Sequence, residues 1–167
     1  MPLAHLSAAQ IDAFQDDGAV VLRALLTPSE IALLQSGIEQ NLAHPSPRAK
    51  VASDPDDPGW FIEDFCCWQE NAHYRRVIFE SALGRVAAAL MRSRSARLYH
   101  DHMLTLHAAG GVVAGRRRRV FSVRLLGDDI RHAPRRWQTS PDFPGLEAQL
   151  PAGAPMEHPL FPLLWRE

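Results

Sequence analysis

Apolar and polar positions in the first fifty residues fall into two helical patterns, each with its own start signal. Leu6-Ser7-Ala8-Ala9-Gln10-Ile11 opens the first. Ser7 can cap it, Gln10 can close a capping box, and Leu6 can staple onto Ile11. Ile11 and Phe14 then share a face, and Gly18 supplies the stop. The apolar run Ala19 to Leu22 predicts a short strand. Leu26-Thr27-Pro28-Ser29-Glu30-Ile31 opens the second helix, with Thr27 as cap, Pro28 at the first helical position and Glu30 closing the box. Ile31, Leu34, Ile38 and Leu42 form its apolar stripe, and Pro45 and Pro47 end it.

Residues 44–59, rich in Pro, Asp and Ser, read as loop. Trp60-Phe61-Ile62 predicts a short strand. Residues 70–92 read as helix broken near Ser81, with Leu83, Val86, Ala87 and Leu90 as the buried face. Arg97 to Leu106 alternates and predicts a strand. Gly110-Gly111 and Ala114-Gly115 mark a turn, and Arg119 to Leu126 predicts a second strand through Val120, Phe121 and Val123. From Ile130 onward Pro and Trp dominate, which predicts a tail ordered by the packing of Trp137, Phe143, Phe161 and Trp165. Helices first and few strands after them make an α+β pattern, with roughly three to five strands, few for a closed barrel.

Composition narrows the functional classes. The 167 residues suit one domain with one core. A net charge of −1 leaves no overall field to hold nucleic acid or an acidic membrane. Seventeen Arg stand against the single Lys50, a bias without a chemical consequence. No apolar stretch approaches the length of a membrane span. Met1-Pro2-Leu3-Ala4-His5 lacks the basic and apolar regions of a signal peptide. Cys66 and Cys67, the two cysteines, are neighbours and poorly placed to bridge, so they read as reduced thiols in a cytoplasmic protein.

Several segments carry chemistry-bearing residues with a plain structural reading beside the functional one. His100 and His102 share a strand face and could bind a metal, but need further ligands. Asp54 to Asp57 and Asp128-Asp129 lack calcium-loop spacing and read as solvated turns. Arg116 to Arg119 could meet phosphate, or could lead a solvated turn into a strand. Cys66-Cys67 beside Trp68 reads as core packing.

The opening Leu6 to Phe14, Asp17-Gly18-Ala19-Val20-Val21-Leu22 and Leu26 to Glu30, the strand Arg97-Leu98-Tyr99-His100-Asp101-His102, and the stretch from Leu104-Thr105-Leu106-His107 through Arg118 to Arg124 together resemble the phytanoyl-CoA dioxygenase family. That family comprises iron(II)/2-oxoglutarate-dependent oxygenases. The resemblance spans most of the chain, discontinuously. It implies N-terminal helices packed on a double-stranded β-helix (jelly roll), an iron held by two His and one carboxylate, and an Arg for the far carboxylate of 2-oxoglutarate. On this resemblance His107 stands at the later metal His, and Arg118, eleven residues on, at the cosubstrate anchor. The implied activity is hydroxylation of a small-molecule substrate, with iron(II) and 2-oxoglutarate as cofactors.

The chain departs from the family at one point. The His-x-Asp motif that supplies the other two iron ligands occurs nowhere in it, and the early strand runs straight into Met103 to His107. The resemblance therefore implies that the central barrel segment is missing. Strand parity puts His100 and His102 on one face, Asp101 and His107 on the other, with these last two about 20 Å apart. The expected architecture is a single truncated domain over residues 1–167: a mainly helical part over 1–95, residual barrel strands over 96–128 and an irregular tail over 129–167. Two readings follow. One is a dioxygenase-like enzyme, impaired in this chain. The other is an inactive remnant that acts, if at all, as a scaffold or interaction protein and self-associates through exposed strand edges.

Overall fold

Both capping boxes form in the computed structural model of the chain, which describes residues 6–57, 59–107, 116–137, 139 and 141–167. In α1 (Ala8–Asp17) the Ser7 backbone N–H donates to Gln10 Oε1 at 2.9 Å and Gln10 N–H donates to Ser7 Oγ at 3.3 Å. Gly18 ends the helix with φ +73°, where a side chain would be strained. In α2 (Pro28–Ala43) Thr27 N–H donates to Glu30 Oε2 at 2.7 Å and Glu30 N–H to Thr27 Oγ1 at 3.2 Å. Each such cap stabilises its helix by about 1 kcal/mol.

The expected break at Ser81 is real: it separates α3 (Ala72–Glu80) from α4 (Leu83–Leu90). Ala19 to Leu22, in contrast, forms no strand, and Val21 is 74% exposed. The run has the right residues but no strand beside it. The turn expected at Gly110-Gly111 and Ala114-Gly115, like the first five residues, lies outside the described residues.

An antiparallel sheet holds β1 (Lys50–Val51), β2 (Trp60–Phe65), β3 (Ser95–His107) and β4 (Arg117–Leu126) in spatial order, and β5 (Leu163–Arg166) pairs with the start of β3. The molecule is thus an α+β fold. β3 is its spine. β4 runs along one side of it, while β2 and β5 share the other, against His102–His107 and Ser95–Arg97 respectively. The register slips between Leu98 and His100, leaving Tyr99 as the extra residue of a bulge. On the far side of β4 no strand pairs among the described residues.

The helices cover one sheet face. Ile38 of α2 and Tyr74 and Ile78 of α3 pack on Ile62, Leu98 and Met103, with Leu34, Leu42 and Phe121 closing around them. Ile31, the first residue of the expected α2 stripe, is 46% exposed and stays out of this core. Burying each large side chain contributes about 2 kcal/mol. Close approach of α2 to α3 depends on Gly37, since a Cβ there would stand 2.6 Å from the Tyr74 ring.

The C-terminal segment covers part of the opposite face. A second cluster of Leu146, Leu150, Met156 and Phe161 packs on Tyr99, Leu126 and Phe143. The C-terminal segment includes a four-residue helix, α5 (Leu146–Gln149), and β5, whose Leu164 packs on the first cluster, both in a stretch without helical or strand periodicity. Of the four aromatic residues expected to order the tail, Phe143 and Phe161 do so, and Trp165 lies in β5 opposite Ala96. Trp137 instead points outward, 66% exposed.

Candidate functional site

Alternation along β3 divides its polar residues between the two sheet faces, as parity requires. Asp101 lies on the helical side with Asp64 of β2, and both are fully buried. Asp101 accepts from the backbone N–H groups of Cys67 at 3.0 Å and Trp68 at 3.2 Å, at the entry to the short 3-10 turn Cys67–Gln69. Burial pushes its carboxyl up to about 6, against the pull of those N–H donors. The neighbouring Asp64 charge pushes it the same way. Asp64 accepts from Asn41 Nδ2 at 2.7 Å and from the backbone N–H groups of Ser46 and Phe65, each at 2.8 Å. These carboxylates tie the 3-10 turn and the end of α2 to the sheet, and all their close partners are donors of the fold itself.

Cys67 and Trp68 belong to the core, as expected, and burial raises the Cys67 thiol well above its ordinary value. Cys66 is half-buried with φ +57°, and burial raises its thiol to about 11, so neither sulfur is an activated nucleophile.

The other face carries His100 and His102. The ring of His102 stacks on Phe65 with centroids 4.1 Å apart, and its Nε2 lies 3.1 Å from Glu63 Oε2. Burial still lowers its basicity, outweighing Glu63. His100 is fully buried, its Nδ1 lies 3.2 Å from the Asp101 carbonyl and its Nε2 has no partner. Burial lowers its pKa to about 4, and the charge of Arg124 acts in the same direction. The centroids of the two rings are 6.4 Å apart. Two His and a carboxylate share this face, yet no group of three such side chains able to hold a metal ion occurs among the described residues.

His107 and Arg118 sit on neighbouring strands but not on one face. His107, the exposed last residue of β3, pairs with Trp60 and Arg117. Arg118 is exposed and pairs with Leu106. Directly opposed residues share a face and adjacent ones do not, so the two side chains leave opposite sides of the sheet. On the His107 side the ion pair of this hairpin joins Arg119 to Glu39 at 2.7 Å. Asp101, six positions back on β3, is about 20 Å away by strand rise. His107 and Arg118 as placed do not fit an iron(II)/2-oxoglutarate centre, because a shared open coordination site needs its ligands and its anchor on the same side.

No family model, no curated protein and no solved structure matches the chain.

One feature of the site side escaped the sequence reading. Where the C-terminal segment meets Tyr99 and the end of β4, it leaves a cleft of about 430 Å³. Trp137, Arg135 and His132 border it. Their only sequence signal is an Arg-Arg-Trp triplet in a Pro-rich stretch, which has no periodicity to place it.

Proposed function

We propose that the chain is an incomplete jelly roll of the phytanoyl-CoA dioxygenase type that has lost iron(II)/2-oxoglutarate hydroxylation and acts through its surfaces. The observation that carries the reading is the β3–β4 register, which sends His107 and Arg118 to opposite faces. No small-molecule hydroxylation is derived for these residues. Two features support a role by contact. The ten-residue edge of β4 carries no further strand among the described residues, and its residues are exposed or half-exposed throughout. Such an edge is a template for pairing with a second copy of the chain.

Equilibrium dialysis of the whole chain against iron(II) without air tests the reading. The expected result is no stoichiometric iron. One equivalent of iron retained by the wild type and lost in His107→Ala would overturn it.

A further inference from the structure

The sheet ends in two unlike edges, and the strand register brings their charges to the same end of it. The β4 edge is cationic. Residues 116–126 hold five Arg and no carboxylate, and Arg116 to Arg119 are consecutive. Arg119 is joined to Glu39, while Arg116, Arg117 and Arg118 are exposed and form no ion pair among the described residues. The opposite edge is β1, two residues long, and it runs into an acidic turn over residues 54–57. That turn is closed by Asp57 N–H donating to the Asp54 carbonyl at 3.0 Å and Asp54 N–H donating to Asp57 Oδ2 at 2.9 Å. Asp54, Asp56 and Asp57 are exposed and form no ion pair among the described residues.

Pairing across the sheet fixes the level of each charge. Lys50 pairs with Glu63, Glu63 with Leu104 and Leu104 with Val120. Val51 leads in the same way through Ile62 and Thr105 to Arg119. The next rows run from Phe61 through Leu106 to Arg118, and from Trp60 through His107 to Arg117. Ala52 joins the Phe61 row, its N–H donating to the Phe61 carbonyl at 2.9 Å. The acidic turn therefore leaves the sheet at the end where Arg116 and Arg117 enter it. Each neighbouring pair from β1 to β4 is antiparallel, so β1 and β4 are antiparallel to each other. A second copy added head to tail continues the sheet as an antiparallel ladder, β1 of one copy against β4 of the other. Its acidic turn then falls beside Arg116 to Arg118, and its Lys50 lies level with Val120 rather than with an Arg.

The alternative, β4 against β4 about a two-fold axis, sets cation against cation. Full overlap of the two strands pairs Arg119 with Arg124, and an axis centred on Phe121 pairs Arg118 with Arg124. Like charges directly opposite destabilise a ladder, and neither strand carries a carboxylate to offset them.

We propose that the partner of the β4 edge is the β1 edge of a second copy, with Asp54, Asp56 and Asp57 of its turn meeting Arg116, Arg117 and Arg118, so that copies add head to tail. The contact rests on the reading that the chain acts through its surfaces, and it names the two surfaces. It also covers Val51, which the single chain leaves 59% exposed. A contact between two different patches keeps growing unless the chain of copies closes into a ring.

Sedimentation velocity of the whole chain over a concentration series tests the contact, with two charge reversals at exposed positions. One variant combines Asp54→Lys with Asp56→Lys, the other Arg117→Glu with Arg118→Glu, and circular dichroism checks that both fold. The expected result is growth of the wild type past the dimer, with association weakened about tenfold in each variant alone. Mixing the two variants should restore growth, because each then meets opposite charge at both edges. Association of the Asp54→Lys, Asp56→Lys variant equal to that of the wild type, or assembly that stops at a dimer, would overturn the head-to-tail contact and leave pairing through β4 standing. A wild type that stays monomeric overturns both. Stoichiometric iron in the dialysis described above would instead overturn the loss of oxygenase chemistry and leave these outcomes as they stand.

Discussion

Replacing Asp101 with Asn should expose a pH dependence of stability that the native chain conceals. Asp101 and His100 are adjacent, fully buried and on opposite faces of β3. Burial raises the Asp101 carboxyl from 3.8 to about 6, so between these values the folded state holds a proton the unfolded state has released. Its contribution to stability is greatest below 3.8 and is lost as pH rises toward 6. Burial lowers His100 from 6.5 to about 4, so between these values the unfolded state holds a proton the folded state refuses. That contribution is present above 6.5 and is lost as pH falls toward 4. Each shift is about two pH units, or about 3 kcal/mol. The two run in opposite directions across the same window and largely cancel. His102, also lowered, adds to the histidine side and leaves the native chain a shallow rise with pH. Cys67 and Trp68 N–H donate to different oxygens of Asp101, so Asp101→Asn keeps an acceptor for one of them, lowers stability by a roughly pH-independent amount and removes the opposing titration. Urea unfolding followed by circular dichroism at intervals from pH 4 to 6.5 should then show stability rising by about 3 kcal/mol in the variant and far less in the wild type. Equal slopes in the two proteins would refute the reasoning.

Gly37→Ala puts a methyl against the Tyr74 ring at 2.6 Å, and that ring is itself fully buried, with its centroid 4.3 Å from that of Phe121. The substitution should cost about 1–3 kcal/mol in the same urea assay, and a loss much below that would mean that α2 and α3 separate easily. The β4 edge, unpaired among the described residues, should make the sedimentation coefficient of the wild type rise with concentration, and Val120→Lys, which adds a charge along that edge, should suppress the rise. A concentration-independent monomer in the wild type would remove the edge from consideration as a contact.

What the sequence made legible was what depends on neighbours in the chain. Ser7 with Gln10 and Thr27 with Glu30 are complete local devices, and both helices start where those residues stand. Ser81 separates α3 from α4 by the same kind of local signal. Parity along β3 separated Asp101 and His107 from His100 and His102 because side-chain direction in a strand follows from counting alone. The hidden parts depend on residues far apart. The bulge at Tyr99 arises from the register between β3 and β4, and nothing in Leu98-Tyr99-His100 announces it. Asp64 is buried because Asn41 and Ser46 come to it from the end of α2 and the loop beyond. The cleft exists because residues near 130, 143 and 156 fold back over the sheet, and Trp137 faces outward at its mouth rather than inward as aromatic content alone suggested. His107 and Arg118 show the same limit from the other side. Their spacing of eleven residues is visible in the sequence, but which face each takes is decided by pairing across the hairpin.

The most direct measurement of the central claim is an anaerobic titration of the chain with iron(II) followed by 2-oxoglutarate, observed in the visible spectrum. A chain whose metal-position His and anchor Arg leave opposite sheet faces should show no metal-to-ligand charge-transfer band. A band that forms with both additions and vanishes in His107→Ala and in Arg118→Ala would contradict the account.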